Sequence, residues 1–486
     1  MTDRPALLDH ARALAGARVL CLGDLMVDRY VYGTVERVSP EAPIPVLRIE
    51  RERVMLGGAG NVARNLAALG AETRFLAVVG DDEAGREAGR LMAAEPGVSA
   101  ELVTEGARET GIKTRFVAGT QQLLRADQET VRPIAAESQA LLTAALADAL
   151  PRAGVLVLSD YGKGTLSRPL LEHAIAAARK AGLPIIVDPK GTDYAPYRGA
   201  TVVTPNRVEL AAASRLPAQS EEEATQAARS LIAAHGFTAL LATRGAEGMI
   251  LVTAEQAYPI AAAAREVFDV SGAGDTVVAV LAAALAGGLP LVEAAELANV
   301  AAGIVVAKVG TAVASIEELV AALQAEEHAS HEAKILPLAR ALERVEGWRR
   351  RRLRVGFTNG CFDLLHPGHV ALLAKARAAC DRLVVGMNDD SSVKRLKGPK
   401  RPVMREGDRA ILLASLASVD LVVSFAEDTP MKLIQAIRPD LLVKGADYKL
   451  DEVIGGGFVQ GYGGRVLLVD LEEGHSTTAT LARMAR

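Results

Sequence analysis

Two α/β domains in tandem are what this sequence predicts, and three observations lead there. The chain has 486 residues, more than a single core usually organises, which sets a prior of two or three domains. Over the first two-thirds, short apolar runs alternate with longer amphipathic segments. That is the pattern of a mainly parallel sheet covered on both faces. Near Ser315 the pattern gives way to a charged helical stretch, and at Leu353 a fresh apolar strand opens a second α/β pattern that runs to Arg486. The expected boundaries are 1–328 for the first domain, 329–352 for a charged helical linker and 353–486 for the second domain.

In the first domain, residues 18–22, 75–79, 155–158, 184–187, 201–204, 239–242 and 249–252 read as strands, with Ala/Leu/Glu/Arg-rich helices between most of them. Residues 30–49 and 111–124 are β-rich without helical periodicity, which predicts a small β-lid over the main sheet. The uncharged run between Asp275 and Glu293 is rich in Ala and broken by Gly287, Gly288 and Pro290. It reads as a buried core helix, because a membrane span needs about 20 strongly apolar residues. The linker ends in Trp348-Arg349-Arg350-Arg351-Arg352. With one aromatic beside it and acidic residues just upstream, that run reads as a solvated face rather than a nucleic-acid patch.

The bulk numbers exclude several classes. Hydrophobic residues make up 50% of the chain, enough for sizeable cores, and the net charge is only −4. With 3% aromatic residues there are few stacking platforms, so no nucleic-acid partner is expected. Cys21, Cys361 and Cys380 form neither a metal-ligand spacing nor an even disulfide set, which fits a reducing cytoplasm. Residues 1–17 are charged and helix-like and lack the order of a signal peptide. No membrane partner is expected.

Two glycine clusters carry the chemistry of the first domain. Gly57-Gly58-Ala59-Gly60-Asn61 runs into a helix. It matches a dinucleotide fingerprint loosely, but that fingerprint should follow the first strand of the fold, and here a strand and the lid precede it. Two readings stay open: a tight turn into a helix, or glycines that let the backbone approach a polyol, with Asn61 supplying an amide. The second cluster is Asp269-Val270-Ser271-Gly272-Ala273-Gly274-Asp275-Thr276, opening the Ala-rich helix. Gly272, Ala273 and Gly274 can present free N–H groups at a helix N-terminus, where the dipole also favours an anion such as a transferring phosphate. Asp275 at that rim can act as general base on an attacking hydroxyl. Helix capping alone would not require the two glycines before it.

These two clusters resemble the signatures of the ribokinase-like sugar kinases, a likeness extending over roughly residues 15–315. The resemblance implies a three-layer α/β/α domain with a small β-lid and makes Asp275 the catalytic base. Asn206-Arg207-Val208-Glu209 resembles the family's Asn-x-x-Glu element, which positions magnesium and ATP phosphates; Glu209 is thereby an indirect Mg2+ contact. Thr243-Arg244-Gly245-Ala246-Glu247-Gly248 resembles its ATP-side loop. Asp24 occupies the position that binds sugar hydroxyls, beside Gly57, Gly58 and Asn61. Residues 35–46 and Leu158-Ser159-Asp160-Tyr161-Gly162-Lys163-Gly164 resemble the heptose-phosphate kinases. A phosphorylated substrate needs cations, and Arg37, Lys163 and Lys190 are the candidates, each of which also reads as a surface charge.

In the second domain, a strand over 354–358 leads into Asn359-Gly360-Cys361-Phe362-Asp363-Leu364-Leu365-His366-Pro367-Gly368-His369. His366 and His369, three apart at a helix start, share one face, and Pro367 suits the first turn. Two imidazoles and free N–H groups would then meet a triphosphate and stabilise charge building on its α-phosphate. A zinc site would need a third ligand, and none stands nearby at metal spacing.

This motif resembles the His-x-Gly-His nucleotidyltransferases, a Rossmann-like α/β family, over 353–483. The resemblance gives ATP-binding roles to Gly360, Phe362 and Asp363, to Lys397 in a cationic 394–402 stretch, and to Arg409 at a helix start. Lys444 falls in a segment similar to the adenylyltransferases acting on heptose 1-phosphate. Ser476, Thr477 and Thr478 form the hydroxyl-rich turn, although His475 stands where relatives carry a small or apolar residue. Kinase and nucleotidyltransferase in this order are similar to the bifunctional heptose 7-phosphate kinase / heptose 1-phosphate adenylyltransferases. That likeness implies ATP as substrate in both domains, Mg2+, and cytoplasmic ADP-heptose synthesis for lipopolysaccharide core, while the exposed β edges of the lid-like strands suggest self-association, expected as a homodimer. The other readings are a different sugar kinase fused to a cytidylyltransferase, and a non-catalytic scaffold that would have lost phosphate-binding positions.

Overall fold

The structure is a computed structural model that describes residues 4–119, 121–263, 267–308, 310–445 and 452–469. The chain divides into two compact units, Met1–Gln324 and Ala325–Arg486.

In the first unit, nine strands form one sheet in the order Ala257–Ile260, Met249–Thr253, Ala239–Thr243, Val202–Val203, Ile185–Asp188, Val155–Ser159, Arg18–Gly23, Glu72–Gly80, Val98–Glu105. All neighbours are parallel except the last hairpins, where Met249–Thr253 runs antiparallel to both strands beside it. Strand alternation sorts the core into two layers. Val19 and Cys21 point to the face covered by the helices Ala59–Ala68, Ala273–Ala286 and Leu291–Val306, and Leu20 and Leu22 to the face covered by Ala136–Ala149, Arg168–Lys180 and Glu221–His235. The expected core helix after Asp275 is present: residues 275–284 of Ala273–Ala286 are all buried. The strands Val98–Glu105 and Ala257–Ile260, at the two edges, go beyond the expected set.

The lid is a separate four-stranded sheet in the order Pro45–Gly58, Leu25–Val38, Gly111–Ala118, Gln121–Gln128. Its strands start and end against the main sheet. Leu25–Val38 begins right after Asp24, and Pro45–Gly58 hands over directly to the helix Ala59–Ala68.

In the second unit, five parallel strands have the order Leu421–Phe425, Arg382–Asn388, Val355–Gly360, Leu441–Gly445, Arg465–Val469. In chain order this is 3-2-1-4-5, the doubly wound arrangement whose ligand crevice lies beyond the carboxyl ends of the strands where the order reverses. Those ends are Asn359-Gly360 and Lys444-Gly445.

The expected linker, 329–352, does not end where the second core begins. Ile335 bridges Val422 in parallel, and the helix Leu338–Arg350 buries Ala341 and Val345 completely among Phe357, Leu421 and Ile434. Leu338, Ala341, Leu342, Val345 and Trp348 recur at helical spacing, so this charged helix has an apolar stripe. Among the described residues no helix is long and apolar enough to cross a membrane, and the three cysteines are free.

Candidate active sites

The first site is built where the lid meets the carboxyl ends of the main sheet. Gly272, at φ +80°, caps the helix Ala273–Ala286 without a side chain. A Cβ there would come within 2.7 Å of Asn61 Nδ2, whereas one on Gly274 would meet nothing within 4 Å. The first glycine makes room for a neighbour and the second leaves the helix mouth open to a ligand. Asp275 is 6% exposed. Asn61 Nδ2 donates to its Oδ2 at 2.8 Å and the Tyr161 hydroxyl to its Oδ1 at 2.5 Å. Burial pushes the Asp275 carboxyl up to about 6, against the pull of those two hydrogen bonds. It is therefore ionised at neutral pH yet close enough to that range to take a proton, as a general base requires.

Asp24 is tied to the loop that follows the strand Val155–Ser159. Its buried carboxylate accepts backbone N–H groups of Tyr161 at 2.9 Å, Lys163 at 3.0 Å and Thr165 at 3.0 Å. Three of about four lone-pair sites are thus spent on a loop. The acid that faces the glycine cluster is Asp28, which the sequence reading missed. A Cβ on Gly57 would lie 2.5 Å from Asp28 Oδ2, so Gly57 makes room for that carboxylate. Gly58 carries the positive φ of +57° at the turn into the helix.

The cations are also redistributed. Arg37 lies on the exposed end of the lid hairpin opposite Val46, nine residues from Asp28, or roughly 30 Å along a strand. Lys190 pairs with Glu209 at 2.9 Å, and so joins the Asn-x-x-Glu element. Lys163 pairs with Glu129 at 2.5 Å. Two further cations come from the lid strand Gly111–Ala118. Parallel register sets Lys113 beside Asp28 and Arg115 beside Tyr30, all on one face, and Arg115 Nη1 bonds Asp28 Oδ1 at 2.6 Å. Lys113 makes no ion pair among the described residues; burial, then the nearby Lys163, lower its pKa.

At the Asn-x-x-Glu element, Asn206 accepts from Val208 N and Glu209 N while Glu209 accepts from Asn206 N, a full capping box on the helix Arg207–Ser214. The Asn-x-x-Glu element thus has a structural job of its own. Thr243 bridges Asn206 at neighbouring strand ends. Arg207 reaches Glu247 at 3.3 Å, across the loop shaped by Gly245 (φ +61°) and Gly248 (φ +87°). A Cβ on Gly248 would come within 2.1 Å of the Ile260 carbonyl. Asp188, at the end of its strand, has its pKa raised by burial and then by Asp275 and Glu209, so it too faces this end of the site.

The second site lies at the reversal of the second sheet. His366 is the N-cap of the helix Pro367–Ala378. Its ring stacks on His369 with centroids 3.8 Å apart and planes 23° apart. Phe362 abuts His369 edge-on at 5.3 Å, from a turn in which Phe362 (φ +47°) and Leu364 (φ +82°) hold left-handed backbone. Burial, then His366, pull the His369 pKa down to about 4. A polyanion beside the stacked rings would reverse that electrostatic balance. A Cβ on Gly360 would press on the Phe362 ring at 3.2 Å. Lys444 Nζ donates to the Asn359 carbonyl at 3.1 Å, which brings it to the mouth of the first strand. Lys397 is exposed in the last turn of the helix Asp390–Lys397.

Two expected ATP contacts are used internally. Asp363, 2% exposed, accepts from Val403 N at 2.8 Å and Met404 N at 3.1 Å and pairs with Arg401. Arg409, fully buried, bonds the carbonyls of Cys361 at 2.5 Å and Asn388 at 2.9 Å and the Asp390 carboxylate at 2.7 Å. Both anchor the loop that presents the histidines. Arg409→Leu is expected to destabilise the second unit by about 3 kcal/mol or more, because it strands buried carbonyls and breaks a charge pair. Urea unfolding of the variant measures this, and an unchanged midpoint would contradict the anchoring role. Ser476, Thr477 and Thr478 lie outside the described residues. Among the described residues no cluster of three His, Cys, Asp or Glu could hold a metal ion.

The comparisons with known proteins agree with this division. Residues 17–319 match the pfkB family carbohydrate kinases and residues 357–475 the cytidylyltransferase-like family. The chain is 59% identical over 485 residues to the bifunctional protein HldE of Paramagnetospirillum magneticum, covering 100% of this chain and 99% of that one. It is 56% identical to that of Rhodospirillum rubrum, covering 100% and 98%. Among solved structures, Escherichia coli phosphofructokinase-2 in complex with substrates and products is similar at 20% identity and a TM-score of 0.54, covering 63% of this chain and 99% of that one. Arabidopsis thaliana ribokinase complexed with ribose and ATP is similar at 20% and 0.51, covering 64% and 99%. At these identities the structures speak to the fold alone.

Proposed function

The chain belongs to the bifunctional HldE family, and from that premise we propose that it is a two-site transferase of ADP-heptose synthesis. The first domain moves the γ-phosphoryl group of ATP to the C1 hydroxyl of D-glycero-β-D-manno-heptose 7-phosphate, giving the 1,7-bisphosphate and ADP. The second joins AMP from ATP to heptose 1-phosphate, giving ADP-heptose and pyrophosphate for the lipopolysaccharide core. A separate phosphatase removes the 7-phosphate in between. The observation that carries the reading is the pairing of two helix N-termini in one chain. One is fronted by a buried carboxylate with a pKa near 6, the other by stacked imidazoles.

In the kinase step the C1 oxygen attacks the γ-phosphorus, its proton passes to Asp275, and ADP leaves. Charge on the transferring group is met by the open N–H groups about Gly274. Asp28 suits a sugar hydroxyl, and Lys113, which makes no ion pair among the described residues, suits the second phosphate from the same lid face. Asn206–Glu209 and the 243–248 loop suit the nucleotide. Magnesium keeps most of its waters and takes one or two carboxylates besides phosphates, and Asp188 and Glu209 fit that need; the ion supplies charge neutralisation on the phosphates. In the adenylyl step an oxygen of the sugar 1-phosphate attacks the α-phosphorus and pyrophosphate leaves, with His366, His369, Lys397 and Lys444 meeting the charge. The enzyme works in the cytoplasm on small molecules. A homodimer through the lid fits the apolar Val38, Ile44, Ile49 and Leu124 exposed there.

Mass spectrometry of products from heptose 7-phosphate and ATP tests the whole reading. Bisphosphate alone is expected without an added phosphatase and ADP-heptose with it. ADP-heptose from neither mixture would overturn it, as would CTP outperforming ATP in the second step. Lys113→Ala is expected to raise KM for the sugar phosphate about tenfold or more, since a charge-assisted contact contributes roughly that much, with KM for ATP unchanged. Steady-state kinetics decides.

A further inference from the structure

The Tyr161 hydroxyl belongs to none of the roles above. It donates to Asp275 Oδ1 at 2.5 Å, on the side of the carboxylate away from Asn61. Its own backbone is fixed by Asp24, which binds the N–H groups of Tyr161, Lys163 and Thr165. The loop between can follow that path only with glycines. Gly162 and Gly164 sit at φ +68° and +99°, and a Cβ on Gly164 would strike the Arg132 carbonyl at 1.9 Å.

We propose that Tyr161 is a positioning residue of the kinase reaction. Its hydroxyl aims the Asp275 carboxylate and keeps it ionised, and Asp24 acts one step further back by gripping the loop that carries it. The inference rests on Asp275 being the base. The surroundings make such a device necessary. Burial is the largest influence on Asp275 and acts against ionisation, as does Asp28 from the lid. Asp188 from the neighbouring strand end also lies within electrostatic reach, and the thiol of Cys21 faces it from the first strand. Opposing them are the two hydrogen bonds and the charge of Lys113. Tyr161 stays protonated throughout, since burial and Asp275 raise its pKa well above the ordinary value, so it is always a donor.

The test is the pH profile of kinase kcat/KM for Tyr161→Phe beside the wild-type chain, with adenylyl transfer and thermal melting as controls for folding. Removing a donor to the charged form disfavours that form, so the acid limb moves to higher pH, by roughly one unit or more for a hydrogen bond to an ion. At pH 6 the variant loses about fivefold or more, the ratio of ionised fractions for such a shift, and by pH 8.5 the gap narrows. Asp24→Asn is expected to shift the limb less, in the same direction. A fall that is uniform across pH, or no change, overturns the proposal. Asp275→Asn run in parallel separates the two ideas. If it retains turnover, the base itself was misread; if it is inactive while the Tyr161→Phe limb stays put, only the role of Tyr161 fails.

Discussion

Asp275→Asn is expected to lower kinase turnover by at least roughly 10²–10⁴-fold, the usual loss for a general base, and to leave adenylyl transfer unchanged. Asparagine keeps the shape and one acceptor, so the Tyr161 contact survives while the proton acceptor is lost. The carboxylate is nearly enclosed, and the helix mouth beside it opens at Gly274. Water has little room to substitute as base there. Coupled assays for ADP and for pyrophosphate on the same preparation measure the two activities. Equal loss of both would sink the assignment of one chemistry to each domain.

The converse change, His369→Ala, is expected to lower adenylyl transfer by roughly 10²–10³-fold, the scale seen when one preorganised donor to a developing charge is removed, with kinase turnover intact. The ring of His369 is held between His366 and Phe362, so packing fixes its orientation. Neutral imidazole is the resting form, its pKa being drawn down to about 4 by burial. An acid limb near pH 4 is therefore outside the working range of the second site. The first site falls off nearer pH 6, where Asp275 is about half protonated. Below pH 6 the kinase is expected to fail before the adenylyl step, and parallel pH profiles check the order.

Much of the fold was legible because parallel strands buried on both faces are written as apolar runs. Val155–Ser159 and Ala239–Thr243 show nothing else. The edge strand Val98–Glu105 has the burial pattern of a surface and carries no such run. Within the sites, the glycines and histidines were legible because backbone freedom and helix-start spacing are local properties. Lys113 and Arg115 were not. Their meaning comes from register with Asp28, more than eighty residues earlier, and no local pattern encodes a pairing of that span. The internal partners of Asp24, Asp363 and Arg409 were hidden for a different reason. A charged residue at a motif position looks the same whether it faces ligand or backbone, and only burial and partners separate the cases. The packing of the linker helix was hard to read for a related reason: six arginine and glutamate side chains along 340–350 outweigh a thin apolar stripe.

That stripe bears on how the gene can be divided. A second domain started at Leu353 would lack the helix Leu338–Arg350 and would leave Phe357, Leu421 and Ile434 without their cover, a recipe for insoluble protein. A cut upstream of Lys334 retains both the helix and the Ile335–Val422 pairing. A separable second domain is thus better started about twenty residues before the point where the new strand pattern begins.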